Sequence, residues 1–111
     1  MKRSDFESRL GKFGLNLGVY GGACYYGSSD KWSLALGPYP SEEIRSAKLA
    51  ISTPSVNERA VIVDSFLAAA QVEKDVHIDA GLNGGGCCGE RGSKKITISW
   101  FDEELVVNIM E

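Results

Sequence analysis

Apolar and polar residues alternate along both ends of the chain. They fall at helical spacing near the start and through the middle. Ser4-Asp5-Phe6-Glu7 has the form of a capping box, in which hydroxyl and carboxylate each satisfy a free backbone amide. It predicts a helix from Ser4, with Phe6, Leu10 and Phe13 on one stripe and Gly14 as its stop. Leu15, Leu17 and Val19 then alternate as a strand, Gly21-Gly22 suggests a bulge, and Ala23-Cys24-Tyr25-Tyr26 resumes it. After the turn residues Gly27-Ser28-Ser29-Asp30, the alternation of Trp32, Leu34 and Leu36 predicts the second arm of a hairpin.

Gly37-Pro38-Tyr39-Pro40 interrupts the pattern. Ser41 followed by Glu42 and Glu43 predicts a capped helix to about Ile51, with its carboxylates at the positive end of the helix dipole. Thr53-Pro54 predicts the cap and first position of another helix. Its stripe is Val56, Ala60, Val63, Leu67 and Ala70, widened by Val61, Ile62, Phe66, Ala68 and Ala69 until most of the helix should be buried. Val76, Ile78 and Ala80 alternate with Asp75, His77 and Asp79 and read as a strand. Residues 81–93 hold six of the 13 glycines and read as a mobile loop. Ile96, Ile98 and Trp100, then Leu105, Val107 and Ile109, make two further strands joined at Asp102-Glu103-Glu104. The order α-β-β-α-α-β-β-β predicts an α+β domain over residues 1–111, a mostly antiparallel sheet of about five strands with helices on one face. Regular βαβ crossovers are missing, which argues against a dinucleotide-binding fold.

Composition narrows the function. At 111 residues, 43% hydrophobic and 24% charged, the chain fits one ordinary globular domain. No apolar run reaches the roughly 18 residues of a membrane span, and Met1-Lys2-Arg3-Ser4-Asp5 opens no signal peptide, so a cytoplasmic protein without membrane attachment is expected. The net charge of −3 demotes nucleic acid as a partner. The imbalance is uneven: residues 1–40 carry +2, residues 41–75 carry −2 and residues 76–111 carry −3.

Candidate chemistry is sparse. The glycine run offers backbone amides to an anion, with Arg91, Lys94 and Lys95 nearby, but it lacks a Gly-Lys-Ser/Thr signature and precedes a strand. On a strand, Asp75, His77 and Asp79 would share one face, able to bind a divalent ion or orient the imidazole. The same residues also suit an ordinary solvated face. The three cysteines, Cys24, Cys87 and Cys88, form no disulfide framework, and reduced thiols are expected. Were the two segments to meet, the thiolates would make a metal or iron–sulfur site. Residues 15–24 locally resemble the strand before the first cysteine of A-type iron–sulfur carriers. Cys87-Cys88-Gly89-Glu90 resembles their Cys-Gly-Cys-Gly-Glu ending without its spacing glycine, and 21 residues follow.

Tyr25, Tyr26 and Trp32 cluster in the first hairpin and suit an anchor patch for a protein, while Asp102, Glu103 and Glu104 form an acidic tip that suits a basic groove. With one histidine and no catalytic set, the expectation is a non-catalytic protein without a cofactor. It would bind a larger partner with a basic surface and inhibit or modulate it, in the manner of anti-CRISPR and other anti-defence proteins of mobile elements, or of toxin-immunity proteins. The alternative is a metal or iron–sulfur carrier using Cys24, Cys87 and Cys88.

Overall fold

The computed structural model describes residues 1–11, 18–20, 24–85 and 87–111. Helix α1 (Arg3–Gly11) is followed by strands β1 (Gly18–Tyr20), β2 (Cys24–Ser28), β3 (Trp32–Gly37) and β4 (Ser46–Ile51). Helices α2 (Val56–Ala69) and α3 (Val76–Ala80) and a wide helical turn over Gly81–Gly85 come next. Strands β5 (Cys87–Arg91), β6 (Lys94–Phe101) and β7 (Glu104–Met110) close the chain. The fold is α+β as expected, with one antiparallel sheet of seven strands in the order β1-β2-β3-β4-β7-β6-β5. The first four strands meander. The helices then carry the chain across the sheet, and the last three strands return so that β7 pairs with β4.

Period-two patterning explains the core. Paired positions line up as rows across one face: Leu36, Ala47, Ile109 and Ile96; then Leu34, Leu49, Val107 and Ile98; then Trp32, Ile51, Leu105 and Trp100. Phe6 and Leu10 of α1 and Val63, Phe66 and Leu67 of α2 are buried in the same cluster. The Phe6 and Phe66 rings meet edge to face at 5.9 Å between centroids. The opposite face carries smaller and more polar residues. Ala35, Ala50, Val106, Thr97 and Ser99 are half-buried there, and Lys48 and Lys95 are exposed.

Several expected elements are corrected. Residues 46–51 form β4 rather than a helix begun at Ser41. Ala47, Leu49 and Ile51 are buried while Ser46, Lys48 and Ala50 face the other way, and six residues pair with β3 on one side and β7 on the other. Ser41 Oγ instead accepts from the Glu43 backbone N–H at 3.1 Å, closing a tight local turn. Helix α1 starts one residue before Ser4, whose backbone N–H donates to Glu42 Oε1 at 2.9 Å, so the partner carboxylate lies across space rather than at Glu7. The cap of α2 is Ser55, not Thr53: its side chain accepts from the Glu58 N–H at 3.3 Å, and Thr53 Oγ1 donates to Glu58 Oε2 at 3.1 Å.

Residues 76–80 are a short helix rather than a strand, because Asp75 caps them by accepting from the Ile78 N–H at 2.9 Å. Within the glycine run, residues 87–91 form an edge strand, and Gly92, at φ +61°, turns it into β6. The extra strands β4 and β5 and the separation of β1 from β2 add three strands, the expected strand at 76–80 is lost to α3, and seven strands result rather than five. Phe13, Leu15, Leu17 and the Gly21-Gly22 bulge lie outside the described residues. None of the described helices is long and apolar enough to cross a membrane.

Candidate functional site

The end of the sheet that carries Trp32 and Trp100 also receives the first turns of α2. Two stripes of that helix diverge there. Val56, Arg59, Ala60, Val63 and Asp64 face Trp100, whereas Asn57, Glu58, Val61 and Ile62 face Trp32. This spacing follows from 3.6 residues per turn. The helix therefore stands between two concavities. Its buried residues lie in its later turns, while Val56 and Val61 are 69% and 59% exposed, against the expectation of a mostly buried helix.

On the Trp32 side lies an open groove of about 370 Å³ lined by Lys31, Trp32, Asn57, Glu58, Val61 and Ile62. Lys31 Nζ lies 2.9 Å from Glu58, pinning the start of α2 to the start of β3. The hydrogen bond to Glu58 raises the Lys31 ammonium above its ordinary value. The same bond, with one from Thr53, lowers the Glu58 carboxyl.

On the Trp100 side lies a cavity of about 630 Å³ between α2, the 81–85 turn and the β6–β7 hairpin. Val56, Ala60, Val63, Leu82, Leu105 and Trp100 supply its apolar walls. The Arg59 guanidinium lies 4.9 Å from the Trp100 ring centroid, and Trp100 Nε1 donates to the Gly81 carbonyl at 2.9 Å. Lys74 Nζ sits 2.9 Å from Asp64 and 3.6 Å from Asp79. Its hydrogen bond to Asp64 raises the ammonium above its usual range, outweighing a small burial penalty. Asn83 Nδ2 donates to the Asp79 carbonyl at 2.9 Å and holds the turn against α3. Asp102 completes the rim from the hairpin, at φ 57° in the first of the two residues between Phe101 and Glu104. Asp tolerates that left-handed conformation better than most residues.

The structure divides the expected partner-binding residues. Asp102, Glu103 and Glu104 are exposed at the β6–β7 hairpin, as a tip should be, and Trp32 lines the groove. Tyr25 lies on the same sheet face as Trp32 but at the far end of the strands. Its hydroxyl reaches the Pro40 and Ser41 carbonyls at 3.0 and 3.2 Å, and its ring meets Tyr39 at 5.1 Å and Arg3 at 4.8 Å. Tyr26, half-buried, is on the opposite face, paired with Ala35. The three aromatic residues thus form no single patch.

The cysteine arrangement is corrected by the sheet order. Cys24 is on β2, while Cys87 and Cys88 are on the edge strand β5, with β3, β4, β7 and β6 between. Five strand spacings amount to about 24 Å along the sheet, so the two segments do not meet. Among the described residues no three His, Cys, Asp or Glu side chains converge on a metal position. Asp75, His77 and Asp79 also fail to form one row, because residues two apart on a helix do not share a face. Sequence reasoning missed Arg59, Lys74 and Leu82. They come together only because α2 crosses the sheet and the glycine-rich turn folds back beneath it.

Comparison of the chain with protein-family models, with curated proteins and with solved structures finds no match.

Proposed function

We propose that this protein is a non-catalytic binding module that docks the first turns of α2 and the neighbouring hairpin onto a larger protein, which it inhibits or modulates. The observation that carries the reading is the exposure of Val61 beside the Trp32 groove, on a helix whose later turns supply core residues. An apolar groove holding a tryptophan and rimmed by charges has the composition of an interface centre with its polar rim. The occupant fitting this end of the molecule is a segment that is both apolar and basic. Its apolar side chains enter the groove, and its positive charges meet the exposed Asp102, Glu103 and Glu104.

The test is capture from host lysate with wild type and Val61→Glu side by side, followed by binding of the purified partner. Support is a protein with a basic surface held by wild type and lost with Val61→Glu, while the variant keeps its thermal transition. The partner's own activity then reports inhibition and decides whether the module serves anti-defence or toxin immunity. A captured set that does not change between the two baits overturns the reading.

A further inference from the structure

Deepening the docking reading, and resting on it, we propose that the 630 Å³ cavity beside Trp100 receives an arginine or lysine side chain of the partner. The glycine-rich turn after α3 forms one wall of it. Leu82, Asn83 and Gly84 line the cavity, and Gly84 takes φ 108°, where a side chain is strained. The volume is in the range of roughly 300–1,000 Å³ that holds small ligands, so a long side chain enters with part of its backbone.

The lining matches such a side chain along its length. Val56, Ala60, Val63, Leu82 and Leu105 offer an apolar channel to a methylene stem. Asp64, Asp79 and Asp102 stand against the cations Arg59 and Lys74, which leaves one negative charge in excess. Lys74 already spans Asp64 and Asp79, and among the described residues Asp102 makes no ion pair. An incoming cation therefore finds Asp102 unpaired at the rim. Trp100 already carries one guanidinium on its ring, that of Arg59, the kind of contact an aromatic wall makes with a cation. An anion would meet the same excess of carboxylates and be repelled.

The chain's two tryptophans make the test internal, since Trp32 serves as the reference for Trp100. The probes are acetyl-Gly-Arg-Gly-amide and acetyl-Gly-citrulline-Gly-amide, which share shape but not charge, titrated into the ¹⁵N-labelled full chain. Saturable movement of the Trp100 indole N–H by the arginine peptide is expected, with the citrulline peptide and Trp32 silent. Asp102→Asn should weaken that binding by about threefold, the scale of one exposed ion pair. No saturable movement, equal movement with citrulline, or undiminished binding by Asp102→Asn overturns the cavity proposal. The Val61→Glu capture result would stand in any of these cases, because it reads the other groove.

Discussion

Trp32 and Trp100 end the same cross-sheet row, with only Ile51 and Leu105 between them, and the first turns of α2 divide one indole from the other. Three strand spacings separate them, about 14 Å. Each indole has its own charged neighbour on α2, Arg59 for Trp100 and Glu58, through Lys31, for Trp32. Arg59→Ala should therefore change the fluorescence of Trp100 and cost about 0.5–1 kcal/mol of stability, the worth of a partly exposed cation–π pair. The Trp32 indole resonance should not move, and equal disturbance of both would show that Arg59 holds the helix rather than one ring.

Core packing gives a larger effect. Leu67 is 2% exposed on the α2 face that meets the sheet, so Leu67→Ala should destabilise by about 2–5 kcal/mol in urea melts. Val61→Ala, at an exposed position of the same helix, should stay within about 0.5 kcal/mol. Comparable losses at both would contradict the division of α2 into a buried and a free side.

That division marks where the sequence was legible. Hydrophobic rows of β3, β6 and β7 stand out because a large apolar residue recurs at every second position, Trp32-Leu34-Leu36, Ile96-Ile98-Trp100 and Leu105-Val107-Ile109. In β4 the alternation is Ala47, Leu49 and Ile51 against Ser46, Lys48 and Ala50. Alanine on both faces blurs the period, while Ser41-Glu42-Glu43 imitates a helix start. In α3 five residues are too few to separate the two periods, and the deciding contact is one Asp75 cap. The acidic tip was readable from local turn chemistry. The cavity was not, since Arg59, Lys74, Leu82 and Trp100 lie up to forty-odd residues apart and meet only through tertiary packing.

The end of α2 offers a stabilising change. Val72 N–H bonds the Leu67 carbonyl at 2.9 Å and Gln71 N–H bonds Ala68 at 3.1 Å, a Schellman closure with Gln71 at φ 57°. Glycine usually fills that position. Gln71→Gly removes a left-handed penalty of about 1–2 kcal/mol and adds about 0.5–1 kcal/mol of chain entropy, so a net gain of about 0.5–1 kcal/mol is expected in melting experiments. A loss would mean that the Gln71 side chain contributes contacts that outweigh the backbone cost.

Acid should weaken the link between α2 and β3. The hydrogen bonds from Lys31 and Thr53 hold Glu58 below its ordinary value of 4.5. A carboxyl lowered in the folded state contributes stability that is fully present above the unfolded value and is lost as pH falls through the folded one. Glu42, bonded by Ser4, and Glu43, bonded by the Met1 amine, shift the same way. The melting temperature of wild type should exceed that of Glu58→Gln at pH 6, and the gap should shrink as the pH is lowered through 4.5 and below. A gap that stays constant across this range would assign Glu58 a packing role instead of a charged one.

The acidic hairpin tip gives the kinetic prediction for the proposed complex. Asp102, Glu103 and Glu104 are exposed, so their charge can act on an approaching partner without a burial cost to the fold. Asp102 sits at φ 57°, which lysine would strain, and the appropriate variant is Asp102→Asn with Glu103→Lys and Glu104→Lys. Stability should change little. Association with the captured partner should slow at low salt, because steering by exposed charges acts over a screening length of about 10 Å at 0.1 M. The difference should shrink as salt rises, while dissociation, governed by the Trp32 groove, moves less. Equal association rates at low salt would remove the tip from the interface and leave the α2 groove as the docking surface.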